Sequence, residues 1–586
     1  MKKKVIVLGG GVAGMSAAHE LMERGYQVTV FEKKLELPGG KARSIPIKET
    51  ATSGTLPLPG EHGFRFFPGF YKHITDTMKR IPFTGNKNGV YDNLVECPVV
   101  MVARNGKLPL IFPNRFPQSL AEVRQIVRSI FSMDTGLKPG ESKVIAMKIW
   151  QLMTSSKERR LGEYENISWL EYTEADKYSD AYRTLFVAGL TRTLVAAKAE
   201  LCNTKTNGDV LLQLLFHFTN PDVSNDRILN APTNDAWLMP WLHYLQQNGV
   251  DYHFNAEVKG IETNATQIDG ITVHELGMTN RYQADYYVCA MPVERIAALL
   301  KKNADLFRLD PALKNILVLS DHVAWMNGVQ FFLNKDVKLN NGHIILVESP
   351  WALTAISQAQ FWKNVNLAKY GNTRVKGIVS IDVSDWDTVG VLHGLPAKEC
   401  NKGEVITEVW AQLKQSININ GEILKDEMVE YAYLDEAIIF ADQFIKSQKS
   451  YPGSKLNEPA RYGSNEVSKN EEPLLVNRIN TWEIRSEAKT AIPNFFLASD
   501  YVKTNTDLAT MEGANEAARR ATNALLEIDK NEAPKCALWE LHEPDWLLFN
   551  KWLDKRRYKK GLPWKNYSPW LTLIPNLIFK LFFKPA

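Results

Sequence analysis

The run Val5-Ile6-Val7-Leu8-Gly9-Gly10-Gly11-Val12-Ala13-Gly14 leaves few folds open to the chain that carries it. Val5 to Leu8 are apolar, β-rich and without polar alternation, which suits a strand covered on both faces in a parallel sheet. Gly9 permits the tight turn that follows, Gly11 lets the backbone approach a pyrophosphate, and Gly14 lets the next helix pack close to the strand. That helix, from about Val12 to Arg24, aims unpaired N–H groups and the positive end of its dipole at phosphates. Gly25 is the left-handed residue expected after its C-terminus. A second apolar strand, Val28 to Phe31, ends in Glu32, where a carboxylate accepts hydrogen bonds from an adenosine ribose. The expected class is α/β, with a Rossmann-like domain that grips a dinucleotide.

Further blocks lie at both ends of the chain. Gly39-Gly40-Lys41-Ala42-Arg43-Ser44 and Glu61-His62-Gly63-Phe64-Arg65-Phe66-Phe67-Pro68-Gly69-Phe70-Tyr71 follow Glu32. Leu497-Ala498-Ser499-Asp500-Tyr501 and Leu508-Ala509-Thr510-Met511-Glu512-Gly513-Ala514 stand near the other end. In these blocks the chain resembles the flavin-containing amine oxidase and phytoene desaturase superfamily, above all its plant-type carotenoid desaturases and hydroxysqualene dehydroxylases. The resemblance implies FAD as the dinucleotide. It places a basic residue, Lys41 or Arg43, at the pyrophosphate, and Lys41 stands where arginine is usual; lysine is a point charge, not a bidentate fork. It places the backbone of Val258 at the adenine and Asp500 at the ribityl–pyrophosphate region. It puts the Glu512-Gly513-Ala514 backbone beneath the isoalloxazine, with His62 and Arg65 near the ring. Ser499 replaces the usual glycine, and Asn515-Glu516-Ala517 replaces a small pair. No cysteine neighbours Met511-Glu512, so the flavin is expected to be non-covalent.

The resemblance implies a discontinuous FAD domain of residues 1–90, 235–300 and 480–530. Residues 91–234 and 301–479 would form an α+β substrate domain, and 531–586 a basic, tryptophan-rich amphipathic tail. The stretch from Asn457 to Glu472, rich in Asn, Ser, Gly and Lys, reads as an exposed loop. Ser119-Leu-Ala-Glu122 reads as a capping box ahead of a helix with Leu120, Val123, Val127, Ile130 and Phe131 on one face.

Composition narrows the partners. A net charge of +4 over 586 residues gives no footprint for nucleic acid. The 5 cysteines are dispersed, and His62, His73, His322 and His343 show no ligand spacing, so neither disulfides nor a metal are expected. Met1-Lys-Lys-Lys runs straight into the first strand, which argues against a cleaved signal peptide and for a cytoplasmic site. The tail differs from the rest. It carries Trp539, Trp546, Trp552, Trp564 and Trp570, and from Lys551 onward Asp554 alone opposes its Lys and Arg. The apolar run Trp570 to Phe583 is shorter than the ~20 residues a spanning helix needs, but it suits an interfacial segment. Peripheral membrane contact is expected, with a fold that survives truncation after about Glu532.

Flavin accepts hydride through its own ring, so the protein mainly positions a C–H bond and excludes water. Superfamily amine oxidases keep a lysine near the ring, and the comparable strand, Trp325 to Leu333, has none. That favours desaturation of an apolar isoprenoid or related lipid, with a quinone or oxygen taking the electrons. The alternatives are an amine or amino-acid oxidase and a non-redox flavin-dependent isomerase.

Overall fold

The structure is a computed structural model that describes residues 2–114, 136–189, 198–218, 224–440 and 468–567. β1 (Lys4–Leu8) leads through the glycine turn into α1 (Val12–Glu23) and β2 (Gln27–Phe31). These strands lie in a five-stranded, wholly parallel sheet, in the order Phe495–Leu497, Tyr286–Cys289, β1, β2, Asp251–His253. Three stretches far apart in sequence thus build one sheet. Its strands are buried along nearly their whole length, as their unbroken apolar runs require. The core on its faces takes in Met15 and Leu21 of α1, Trp237 and Trp241, and Leu525 of the Met511–Asp529 helix. Leu306, Leu313, Ile316 and Leu319, beyond residue 300, join the same core.

A second, seven-stranded sheet runs in the order Val429–Leu434, Asn327–Leu333, Gly377–Val383, Leu353–Ser357, Ile344–Leu346, Val99–Arg104, Lys107–Pro113. Only Ile344–Leu346 and Val99–Arg104 pair in parallel. One face packs Val329, Phe331, Val379, Ile381 and Leu353 against Val409 and Trp410 of the Lys402–Ile417 helix. Asn401 and Glu404 close a capping box at that helix's start. Strand alternation sends Gly328, Gln330, Ser380, Asp382 and Thr354 to the opposite face. A helical layer with Trp169, Tyr182 and Phe216 forms a third core. The capping box at Ser119 and its apolar stripe lie outside the described residues. So does 457–467 of the stretch read as an exposed loop; in the remainder Lys469 and Glu471 are exposed, while Ser468 and Glu472 are buried.

The described part of the tail is a strap bound to the body. The Trp539 N–H donates to His73 Nε2 at 3.0 Å, and Gln213 bonds His542 at both ends of its amide. The Leu548–Tyr558 helix then inserts Asp554 against Arg159, 2.8 Å from its Nε, and that carboxylate also takes the N–H and hydroxyl of Ser156. A Cβ on Gly162 would lie 1.7 Å from Tyr558 Oη, so the helix docks in contact with backbone. Lys551 pairs with Glu543 and Lys555 with Glu158, while Arg556 sits over the Trp552 ring. Much of the positive charge therefore has a partner within the protein, and truncation at Glu532 would uncover a buried arginine. The expected independence of the tail is corrected to that extent. Trp570 to Phe583 lie outside the described residues. No helix among the described residues is long and apolar enough to cross a membrane.

Candidate functional site

The first half of the site is a cradle of backbone. Gly9 sits at φ +102°, and Gly14 is needed because a Cβ there would lie 1.9 Å from the Gly9 carbonyl oxygen. α1 begins at Gly11 with no side-chain cap, so the first N–H groups of the helix are left for a ligand. Gly39 donates to the Gly10 carbonyl at 3.0 Å, and a Cβ on Gly40 would come within 3.1 Å of Gly11 Cα. Two glycine loops thus meet where a pyrophosphate would lie. Glu32 is buried at the end of β2, and its carboxylate accepts the N–H of Gly10 at 2.7 Å and that of Lys34 at 2.9 Å. Asn255 and Ala256 donate to Lys34 and Glu32, which fastens the strand carrying Val258 beside the ribose acid. Val258 is buried and pairs with Val273. Tyr252, which the motif does not mark, bonds the Gly10 carbonyl at 2.7 Å and blocks any side chain at Gly10.

Both basic candidates point elsewhere. Arg43 is buried against Glu472, 2.9 Å from Oε2, and also bonds the Gly40 carbonyl at 2.6 Å. Lys41 donates to the Pro473 carbonyl. Arg43, His62 and Lys34 hold the Glu472 carboxyl well below the usual carboxylate range, against the desolvation that pushes it up. In this structure Lys41 and Arg43 anchor the 472–473 segment beside the Gly39–Gly40 loop. Glu294, at the start of the Val293–Leu300 helix, faces Lys41 and Asp500; burial pushes its carboxyl up. Asp500 accepts a bond from the Ser499 hydroxyl at 3.2 Å, at the C-terminal end of the last parallel strand.

The second half is the start of the Met511–Asp529 helix, capped by the Thr510 hydroxyl accepting the Gly513 N–H at 3.2 Å. The Glu512 carboxylate accepts the N–H groups of Lys72, His73 and Ile74 and lies 2.7 Å from His73 Nδ1. It thereby caps the His73–Arg80 helix. Gly513 is also dictated by its own turn, since a Cβ there would lie 2.4 Å from the Leu508 carbonyl oxygen. Ala514 continues the helix from this turn.

Between the halves runs Glu61 to Tyr71. Glu61 is buried and accepts the Thr233 N–H and hydroxyl; desolvation, only partly offset by Arg65, pushes its carboxyl up to about 7. His62 Nδ1 lies 2.6 Å from Asp435 Oδ2, which also takes the Asn327 amide at 2.5 Å. Arg65 stands between Glu61 and Asp382, and its Nε and Nη2 are buried without a hydrogen-bond partner. Gly63 and Gly328 let this segment touch the second sheet; a Cβ on Gly328 would be 2.7 Å from the His62 carbonyl oxygen. Nearby, a cavity of about 50 Å³ is lined by Cys202, Met326, Leu474, Leu475, Leu508 and Ala509. Cys97, Asp226 and His343 bring a thiol, a carboxylate and an imidazole within 4.8 Å of one another. His343 Nδ1 already meets Asp226 at 2.5 Å, and burial pushes the thiol up, so the group holds together by its own hydrogen bonds.

Residues 12–387 match the model of the flavin containing amine oxidoreductase family. The chain belongs to that family. It is an FAD-dependent oxidoreductase, and the uncapped helix start, the meeting glycine loops and the buried Glu32 fit that cofactor. Among curated relatives, the carotenoid phi-ring synthase of Chlorobaculum tepidum is 28% identical over 182 residues, 31% of this chain and 26% of that protein. The 1-hydroxycarotenoid 3,4-desaturase of Flavobacterium sp. is 49% identical over 45 residues, 8% of this chain and 9% of that one. Both matches span well under half of those relatives. Among solved structures, cyclohexylamine oxidase from Brevibacterium oxydans superposes with a TM-score of 0.54 at 12% identity, covering 90% of this chain and 100% of the other. An oxidoreductase from Methanosarcina mazei reaches 0.56 at 13%, covering 88% and 98%. These likenesses are of fold.

Proposed function

We propose that the protein desaturates a long apolar isoprenoid or a related lipid, and that it works as a peripheral protein at a membrane surface. FAD, when bound, supplies the hydride acceptor, and a quinone or oxygen takes the electrons onward. The chain's own residues bind and orient. Gly9 to Gly14, Gly39, Gly40 and Glu32 hold the nucleotide, and the Thr510–Gly513 turn aims a helix start at the far end of the cofactor. The observation that carries this reading is Gly328, packed against the His62 carbonyl in the strand where an amine oxidase would present its lysine. The neighbouring cavity is lined by apolar side chains such as Met326, Leu474 and Leu508 together with the neutral polar Thr206, Asn207, Asn477 and Thr510, and no carboxylate in that lining would pair with an ammonium group. The partial similarity to two carotenoid-modifying enzymes agrees. The tryptophans and lysines of the tail, with its apolar end, support the surface attachment. The test is anaerobic bleaching of the bound flavin. An acyclic isoprenoid in detergent should reduce it and primary amines or amino acids should not; reduction by an amine alone would make the protein an amine oxidase.

A further inference from the structure

Three buried carboxyl groups, Glu61, Glu165 and Asp382, are pushed up to about 7, each chiefly by desolvation. Two have structural duties. Glu61 is tied to Thr233 through both oxygens, and Glu165 binds the N–H groups of Thr481 and Trp482. Glu165 Oε2 is also without a partner, but of these carboxyls it is Asp382 that packs on Gly63. Its side chain is 6% exposed and its Oδ1 has no hydrogen-bond partner. A Cβ built on Gly63 would lie 2.4 Å from that oxygen, so the carboxyl sits directly against the flavin-proximal segment. Alternation along Gly377–Val383 puts it on the face opposite the aliphatic core, beside Gly328 and Thr354. The groups around it are the Arg65 guanidinium, the His62 and His343 rings and the Phe64 N–H. All of them favour the carboxylate, and burial favours the acid. The result is a group that changes charge near neutrality, as a proton acceptor needs.

We propose that Asp382 accepts the proton released when the substrate is oxidised. The inference rests on the reading that two hydrogens leave the substrate at this site. In such a dehydrogenation one hydrogen leaves with its electron pair, which FAD takes up. The second leaves as a proton to Asp382 Oδ1, and the electrons of its C–H bond become the new π bond. Arg65 then stabilises the carboxylate once the proton has been passed on. With no side chain at Gly63, Asp382 Oδ1 packs directly on the backbone of this segment.

Infrared spectroscopy of the holoenzyme between pH 5 and 9 tests the protonation without turnover. A protonated-carboxyl band with contributions from Glu61, Glu165 and Asp382 should disappear near neutrality, and one component of it should be absent from Asp382→Asn and retained in Glu61→Gln and Glu165→Gln. Stopped-flow bleaching provides the second arm. Asp382→Asn, with its FAD content and circular dichroism unchanged, should bleach about 10²–10⁴-fold more slowly. It should also lose the fall in rate on the acid side of neutrality, and formate should restore part of the rate to Asp382→Ala. A band unchanged in Asp382→Asn, or a variant as fast as the parent with the same pH profile, overturns the proposal. If only an amine bleaches the parent, the isoprenoid reading fails, and the same measurements made with that amine still decide the role of Asp382.

Discussion

At the scale of single residues, Glu32 shows how much a local spacing can reveal. Its place after the second strand marked it as the ribose acid, and the structure buries it there with two backbone N–H groups on its carboxylate. Glu32→Ala would leave those donors, and the ribose hydroxyls, without an acceptor. Lost pairings of this kind cost roughly 1–3 kcal/mol, so FAD should bind about ten- to a hundredfold more weakly while the fold persists. Fluorescence titration of the apoprotein would measure it, and unchanged affinity would remove Glu32 from the site. Glu472 was illegible for the opposite reason. It ends a run of Asn, Ser, Gly and Lys, and nothing local signals that Arg43, far back in the chain, will bury it. Asp382 left a faint trace, a polar residue alternating with Ser380 in an otherwise aliphatic strand.

At the scale of elements, Glu512 is a joint between two helices. It sits in the first turn of one and caps the other, so the start of the Met511–Asp529 helix is tied to the His73–Arg80 helix that follows the Glu61–Tyr71 segment. A glutamine offers one oxygen and turns an NH₂ toward the remaining donors. Glu512→Gln should therefore lower Tm by several degrees, with flavin release coincident with loss of ellipticity; an unchanged Tm would refute the joint. His73 extends it to the tail. Because the Trp539 N–H donates to Nε2, the ring's own proton sits on Nδ1, facing Glu512. His73→Ala should therefore speed hydrogen exchange at Trp539 more than in the body of the helix, and equal rates would argue against this link. None of this could be read from the Met-Glu-Gly-Ala motif, which looks the same whether its glutamate faces a cofactor or a helix.

For the whole molecule, the first two strands of the parallel sheet were legible because a glycine turn follows one and an acid follows the other, whereas the order of the five strands has no local signal. The second sheet was less legible, since its strands are joined by long excursions and mostly pair antiparallel with distant partners. The tail was half legible: its composition is interfacial, but its buried contacts depend on Arg159, Ser156 and Gly162. Asp554→Ala removes the acceptor of Arg159 Nε and of the Ser156 N–H and hydroxyl, while Glu163 and the Leu562 carbonyl still hold the guanidinium, at a cost of roughly 1–3 kcal/mol. It should give a protein with a markedly lower Tm that loses FAD on heating, whereas parental stability would restore the separable tail. Titration adds a global signature. Glu61, Glu165 and Asp382 have folded values near 7, above their ordinary 4.5, 4.5 and 3.8, so the folded state holds their protons longer. Their contribution is fully present below the ordinary values and is lost as pH rises toward 7. Glu20 behaves oppositely: burial pushes it up, but Arg519, Arg80 and Arg24 bring it down to about 2, so its contribution fades as pH falls from 4.5. Holoenzyme Tm should accordingly peak near pH 5 and decline by pH 8, less steeply in Glu61→Gln. A Tm that rises steadily to pH 8 would contradict these assignments.

The nucleotide sheet also sets a timetable. β1 and β2 are among the first residues made, but their neighbours come from the middle and the last fifth of the chain, and Asn515 reaches back to Ser16 at 2.8 Å. At roughly 5–20 residues per second, the glycine turn waits on the order of tens of seconds on the ribosome before Phe495–Leu497 and the helix after it arrive. Through that interval the nascent N-terminus carries exposed apolar strands and an unfinished pocket. A chain arrested before residue 495 should therefore be colourless and depend on chaperones, and yellow colour in a coupled translation reaction should appear only after full-length protein is released.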